Sequence, residues 1–176
     1  MPTFNEESTI KQVVEDFQRQ NSVEHVVVID NKSTDDTVKI AKECGAKVIE
    51  KIENKGYSHS LVLGLKEALK TDANIIAITE SDGTFNGYDL EKMVPYLHNC
   101  DMVIGSRQNQ VISEKGNQNN TMHTWGNYII ASFLQLKFFN FKHRGLVHFN
   151  DAACIYRCFR RDALEKVVKM YENENF

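Results

Sequence analysis

Apolar residues along the chain follow two alternating rhythms. Ile10, Val13, Val14 and Phe17 recur at three- and four-residue spacing behind the acidic stretch Asn5-Glu6-Glu7-Ser8, which predicts an amphipathic helix. "HVVVID" (25–30) is a short β-branched run of the kind seen in parallel strands buried on both faces. In "STDDTVKIAKECG" (33–45), Ser33 or Thr34 can cap a helix, acids fill its first turn and Gly45 can close it. "AKVIEKI" (46–52) reads as a strand, and Leu61, Leu65, Ala68 and Leu69 as a helical stripe. "NIIAIT" (74–79) is the next strand, Leu90, Met93, Val94 and Leu97 the next stripe, and "DMVIG" (101–105) a further strand.

The rhythm breaks at "RQNQVISEKGNQNN" (107–120), a polar stretch without periodicity that predicts a long mobile loop, of a kind usually functional or disordered. Beyond it the pattern predicts a hydrophobic helix from about Thr124 to Phe139, a short strand near 152–156 and a helix from Arg161 to about Tyr171. Strands alternating with helices predict an α/β fold, a mostly parallel central sheet with helices on both faces. Ligands of such sheets bind outside the carboxyl ends of the strands. The positions to question are therefore Asp30-Asn31, Glu80-Ser81-Asp82 and Gly105-Ser106-Arg107.

Length and charge narrow the field. The 176 residues suit a single domain, with enough chain for a core that needs no staples. A formal charge of -3 and the lack of a long basic run argue against nucleic acid as a partner. Cys44, Cys100, Cys154 and Cys158 show no framework spacing, so reduced, partly buried thiols and a cytoplasmic setting are expected. Met1 leads straight into Pro2-Thr3-Phe4 without a signal-peptide pattern. The most apolar stretch, Trp125 to Phe141, is interrupted by Asn127, Ser132, Gln135, Lys137 and Asn140 and falls short of a membrane span.

Side chains two apart on an extended chain share a face, so Glu80 and Asp82 point the same way. Paired carboxylates repel unless a cation or proton joins them, and a hard divalent ion on a diphosphate would do so. On this stretch alone a solvated acidic turn, with Asp82-Gly83 as turn chemistry, is the better reading. Asp30 can accept from a ribose or a base edge, and the helix opening at Ser33-Thr34-Asp35 offers backbone N–H groups to anions, or is merely capped. Gly56 allows close backbone approach, or is a plain loop glycine. The chain has no G-x-x-x-x-G-K-[ST], G-x-G-x-x-G, H-E-x-x-H or G-x-S-x-G pattern, and its six histidines form no cluster.

Read in order, "PTFNEES" (2–8), "VVVIDNKSTDDT" (26–37), "ENKGYSHSLVLGL" (53–65), "TESDGTF" (79–85), "DMVIGSR" (101–107), "GNYIIASFL" (126–134) and "NDAACIYRCFRR" (150–161) resemble family 2 glycosyltransferases of the GT-A fold. Polyprenyl- or dolichol-phosphate sugar (mannose or glucose) transferases and their bacterial polysaccharide relatives are the nearest likeness. The resemblance implies a UDP- or GDP-sugar donor, a Mg²⁺ or Mn²⁺ ion, inverting transfer, and a polyprenyl-phosphate or growing-glycan acceptor. It places Pro2, Phe4, Glu6, Asp30, Asn31, Asn54, Gly56 and Ser81 at the nucleotide and Asp82 and Glu80 at the metal, Asp82 being the firmer ligand. Arg107 and Arg157 fall at the sugar or acceptor phosphate, and Asp151 is the base if the acceptor is a hydroxyl. The alternative is a nucleotide-sugar-binding fragment or degenerate relative without turnover. A sugar-nucleotide pyrophosphorylase would show a glycine- and lysine-rich loop after its first strand, which is missing here.

Several positions depart from the family pattern. Asn31 stands where a second aspartate is usual, and an amide both donates and accepts, which leaves the base open. Glu80 replaces the first aspartate of the metal motif, and His123, Thr124 and Trp125 stand where an arginine is common. Family members carry an apolar strand ahead of the "P-x-[YF]-N-E" segment, whereas Met1 alone precedes Pro2, and the chain stops at "YENENF". The expectation is a single catalytic domain over 1–176, truncated at both ends, with the central first strand missing. Phe138, Phe139 and Phe141, with Lys137, Lys142, His143 and Arg144, could meet a membrane surface and a lipid acceptor at its inner face; core and lid packing is the plainer reading.

Overall fold

In a computed structural model of the protein, residues 1–105, 121–137 and 154–173 are described. The chain divides into two compact units, Met1–Ile104 with Tyr156–Phe176, and Gly105–Ile155. In the first, β1 (Pro2–Thr3), α1 (Ile10–Gln18), β2 (Val27–Asp30), α2 (Thr37–Glu43), β3 (Lys47–Glu50), α3 (Tyr57–Ala68), β4 (Ile75–Ile78), α4 (Gly87–Met93) and β5 (Met102–Ile104) follow in order. β6 (Arg157–Arg160) and a final helix, which we label α6 (Arg161–Asn173), complete it. The described helix of the second unit is α5 (Thr121–Lys137).

The expected α/β sheet is present, in two halves. β1, β2 and β3 pair in parallel, with Pro2 opposite Ile29 and Val28 opposite Val48. β6 runs antiparallel between β4 and β5, with Cys158 opposite both Ala77 and Val103. Among the described residues no strand joins β1 to β4. β1 is short, two residues, and holds to β2 at the edge of its three-stranded half. The Met1 carbonyl accepts from the Ile29 amide at 2.8 Å, and its amine donates to the Val27 carbonyl at 2.8 Å.

Hydrophobic spacing fixes the packing. Ile10, Val13, Val14 and Phe17 of α1 are all buried, as their stripe predicts, and α1 packs on α2 and α4. α3 covers β1 and β2 and also meets α6. At Gly64 an added Cβ would stand 3.1 Å from the Ile29 side chain, so the missing side chain sets how closely α3 lies on β2. The stripe from Leu90 to Leu97 is one rhythm in the sequence and two elements in space. α4 ends at Met93 and continues as a 3-10 turn over Val94–His98, because Pro95 lacks an amide proton for a fourth-residue bond.

Two elements fall elsewhere than predicted. The helix expected to open at Ser33 begins at Thr37, because Asp35, not Ser33 or Thr34, accepts from the Thr37 amide (3.1 Å). The last strand lies at Arg157–Arg160 rather than 152–156. Tyr156 instead packs its ring between Phe17 (6.0 Å) and Phe85 (5.1 Å) and donates to the Asn86 carbonyl at 3.0 Å. The four cysteines are free thiols as expected; Cys154 and Cys158 are buried, and burial pushes the Cys158 thiol up to about 12.

Arg161 joins the end of α3 to the start of β4. Its Nη1 donates to the carbonyls of Thr71 (2.7 Å) and Ala73 (3.1 Å), and its Nη2 to that of Leu69 (2.6 Å). Arg161→Ala should therefore lower the unfolding free energy by about 2 kcal/mol in urea titrations, and Arg161→Lys, lacking the planar fork, should restore less than half of it.

Candidate functional site

The segment Phe4–Glu7 is shaped by the loop that follows β2. The Asn5 amide donates to Ser33 Oγ (2.9 Å) and the Glu6 amide to Thr37 Oγ1 (2.8 Å). In return Asn5 Oδ1 accepts from the Thr34 amide (2.8 Å) and Glu7 Oε2 from the Asp36 amide (3.2 Å). Asn5 and Lys32 both hold positive φ (54° and 69°), which asparagine tolerates better than lysine. The backbone N–H groups expected to face an anion near Ser33 are thus already engaged, those of Ser33, Thr34, Asp36 and Thr37 all by side chains.

The acidic strand end is tied to the same place. Thr9 Oγ1 donates to the Ser81 carbonyl (2.8 Å), and Ser81, itself buried, donates from Oγ to the Pro2 carbonyl (3.4 Å). The result is a cleft of about 210 Å³ lined by Pro2, Thr3, Phe4, Glu6, Asn31, Tyr57, Ser60, Glu80, Ser81 and Asp82. It opens at the carboxyl ends of β1, β2 and β4, where an α/β sheet places its ligands. Seven residues singled out in the sequence, Pro2, Phe4, Glu6, Asn31, Glu80, Ser81 and Asp82, meet there.

Asp82 is exposed, and each of its carboxylate oxygens accepts from Thr84: Oδ1 from the amide (2.9 Å) and Oδ2 from the hydroxyl (2.8 Å). The turn chemistry read from Asp82-Gly83 is therefore present, and it orients the carboxylate rather than hiding it. Glu80, half-buried, shares the cleft with the Tyr57 phenol. Burial, reinforced by the Glu80 charge and opposed by Arg157, pushes that phenol up to about 12, so it stays a hydrogen-bond donor at neutral pH. Arg157, opposite Ile78 and Ile104 in the sheet, thus lies close enough to oppose Glu80 at Tyr57.

Asn31 heads a polar chain beneath the cleft. Its Nδ2 donates to Asn54 Oδ1 (2.6 Å), which also accepts from the Gly56 amide (3.0 Å). Its Oδ1 accepts from Lys51 Nζ (2.6 Å), and Lys51 also donates to the fully buried Ser60 hydroxyl (3.0 Å). Desolvation, with help from Lys55, lowers the Lys51 pKa, while Asp30 and Glu53 oppose the shift. Gly56 has φ 82° with open space around its α-carbon, so the backbone conformation rather than a close approach requires glycine there.

Asp30, Asn54 and Gly56 lie behind the lining rather than in it. Asp30 is buried, and its carboxylate accepts from the amides of Lys32 (3.0 Å) and Ser33 (3.1 Å), which fixes the turn that carries Asn31. Arg107 and Asp151, with Phe138, Phe139, Phe141, Lys142, His143 and Arg144 and the 107–120 stretch, lie outside the described residues. Thr3, Tyr57 and Ser60 line the cleft although the fragments of the family resemblance that contain them gave them no role, and Lys51, outside all of those fragments, supports it from beneath. The one available signal was Lys51 itself, a charge two residues beyond the last apolar residue of "KVI" at a strand's carboxyl end.

The architecture is that of the GT-A glycosyltransferases. The glucosyl-3-phosphoglycerate synthase of Mycobacterium tuberculosis, solved with Mn²⁺, uridine diphosphate and glucosyl-3-phosphoglycerate, superposes with a TM-score of 0.64 at 18% identity, over 92% of this chain and 55% of that one. The profile of Glycosyl transferase family 2 matches residues 1–168, and the chain belongs to that family. The low-salt glycan biosynthesis hexosyltransferase Agl6 of Haloferax volcanii is 31% identical over 170 residues, 94% of this chain and 38% of its own length. The UDP-N-acetylglucosamine–dolichyl-phosphate N-acetylglucosaminyltransferase of Methanococcus voltae is 31% identical over 126 residues, 61% of this chain and 50% of its own length. The chain thus spans half or less of these two curated relatives.

Thr37 tests the lacing. It is fully buried, accepting from Glu6 and donating to Asp35 Oδ1 (2.5 Å). Thr37→Val keeps the shape and strands the Glu6 amide, while Asp35 Oδ1 keeps the amide of residue 37, so it should cost about 1–3 kcal/mol in chemical denaturation and speed hydrogen exchange at the Glu6 amide.

Proposed function

We propose that the cleft binds the nucleoside diphosphate of a UDP- or GDP-sugar and that the chain is the donor-binding part of a metal-dependent, inverting glycosyltransferase. The observation that carries this reading is the meeting of Glu80 and Asp82 with Pro2, Phe4, Glu6 and Asn31 in one cleft at the strand ends. The relatives' and neighbour's names, with their uridine nucleotides, dolichyl phosphate and Mn²⁺, point the same way.

The donor set fits a hard divalent ion. Two carboxylates with oxygen lone pairs, one of them exposed and oriented by Thr84, suit Mg²⁺ or Mn²⁺ completed by phosphate oxygens and water. Asp82 and Glu80 would hold it, and when bound it supplies positive charge to the departing diphosphate. Phe4, 46% exposed, offers its ring to the base, and Asn31, with Oδ1 held by Lys51, presents its amide to the base edge. The Tyr57 phenol donates toward the phosphates or sugar. The acceptor oxygen bonds to the anomeric carbon as the bond from that carbon to the diphosphate oxygen breaks on the opposite side. A hydroxyl acceptor hands its proton to Asp151; a polyprenyl phosphate, already anionic, is held by Arg107 and Arg157.

Among the described residues no helix is long and apolar enough to cross a membrane. Trp125, Tyr128, Ile130, Phe133 and Leu136 on α5 are nonetheless more than half exposed, an apolar set suited to lying against the inner face of a membrane from the cytoplasm, where a lipid acceptor would be met. Because the chain spans half or less of the relatives named above, a second reading stands beside the first: a module that binds the nucleotide sugar without turning it over.

Calorimetric titration of UDP and GDP with and without Mn²⁺ tests donor binding, and release of free sugar from the donor separates enzyme from module. Asp82→Asn should weaken Mn²⁺-dependent nucleotide binding at least about tenfold, or ~1.4 kcal/mol. Unchanged affinity and unchanged metal dependence would remove the site assignment.

A further inference from the structure

The amide of Asn31 reaches the cleft already held at both ends. Its Oδ1 accepts from Lys51 Nζ and its Nδ2 donates to Asn54 Oδ1, both at 2.6 Å. Neither contact survives exchange of the two ends. An ammonium has protons and no lone pair, so it cannot face an NH₂ group. Asn54 Oδ1, kept in place by the Gly56 amide (3.0 Å), would meet the Asn31 oxygen head on. Lys51 is anchored in turn by the fully buried Ser60 hydroxyl (3.0 Å), which donates to the Gly56 carbonyl (3.3 Å). Burial and Lys55 disfavour the charge on Lys51, and Asp30 and Glu53 favour it.

Holding an amide matters when it reads a base. Uracil presents a ring N–H beside a carbonyl oxygen, and so does guanine; cytosine and adenine present the reverse, a bare ring nitrogen beside an exocyclic amine. An amide free to turn half a revolution about its last torsion matches either order. A held amide, facing a base in one pose, matches only one. Among the described residues each end of the Asn31 amide keeps one further place, a lone pair on Oδ1 and a proton on Nδ2. The group that meets Oδ1 must donate, and it also meets the ammonium behind that oxygen. A ring N–H brings one proton there with a carbonyl next to it, whereas an exocyclic amine brings two protons. The cation on Oδ1 also polarises the amide, which makes Nδ2 a stronger donor to a base carbonyl.

We propose, on the donor-binding reading above, that Lys51 is a specificity-determining positioning residue. By holding Asn31 in one orientation it makes the cleft take a base with a keto edge, uracil or guanine, and refuse the amino edge of cytosine or adenine. Lys51 does not line the cleft and acts through Asn31.

UDP and CDP have the same shape and differ only at this edge, so their ratio of affinities is the readout. In calorimetric titrations with Mn²⁺, the unaltered chain should bind UDP at least about tenfold more tightly than CDP, or GDP than ADP if purines bind better. Lys51→Met and Lys51→Gln let the amide turn and should bring that ratio below about threefold, with the amino-base nucleotide gaining affinity in absolute terms. Lost packing at position 51 would produce no such gain. Lys51→Arg, which only donates, should keep the ratio within about threefold of that of the unaltered chain. A ratio unchanged in both Lys51→Met and Lys51→Gln, equal losses for both nucleotides, a preference of the unaltered chain for the amino base, or full relaxation in Lys51→Arg would each overturn the assignment and leave donor binding standing. Failure of all four nucleotides to bind would overturn the donor-binding reading itself, and this one with it.

Discussion

The site depends on the mutual support of two strand-end loops. Phe4–Glu7 has no helix or ladder of its own, and its shape is set by Ser33, Thr34, Asp36 and Thr37, whose amides or hydroxyls trade hydrogen bonds with it. Because β1 and β2 are parallel neighbours, both loops leave the sheet at the same end, and pairing them costs little extra ordering. The third strand end joins through Thr9 and Ser81, so the acids at 80 and 82 are indexed to the same frame as Phe4 and Asn31.

Much of this was legible in the residues. The stripe Ile10–Phe17 and the β-branched runs at 27–30 and 75–78 map onto the observed elements because burial imposes its period on the chain directly. The strand ends point to Asn31, Glu80 and Asp82 from the residues alone, since sheet topology says which end faces a ligand. Where the pattern failed, a long-range contact outweighed a local preference. Ser33 looks like a cap, but its hydroxyl is taken by Asn5, twenty-eight residues away in sequence. Ile155 and Tyr156 look like strand, but the aromatic pair Phe17 and Phe85 draws Tyr156 out of the ladder.

Lys51 shows a different limit. A lysine at a strand end reads as a solvated charge, and only the folded chain brings its amine to Asn31 and Ser60. Its presence gives the Asn31 substitution a physical setting. The amide oxygen is committed to a cation, so the orientation of the amide, and with it the pattern of donors and acceptors shown to the cleft, is fixed from beneath. Tyr57 opens α3 directly after Gly56, whose positive φ turns the chain into that helix.

The buried thiol of Cys158 sits in the middle of the antiparallel strand between β4 and β5. Thiolate is the reactive form, and burial all but removes it at neutral pH. Alkylation there therefore waits on separation of that strand from its neighbours, which makes a single sulfur atom a natural clock for how often this half of the protein comes apart.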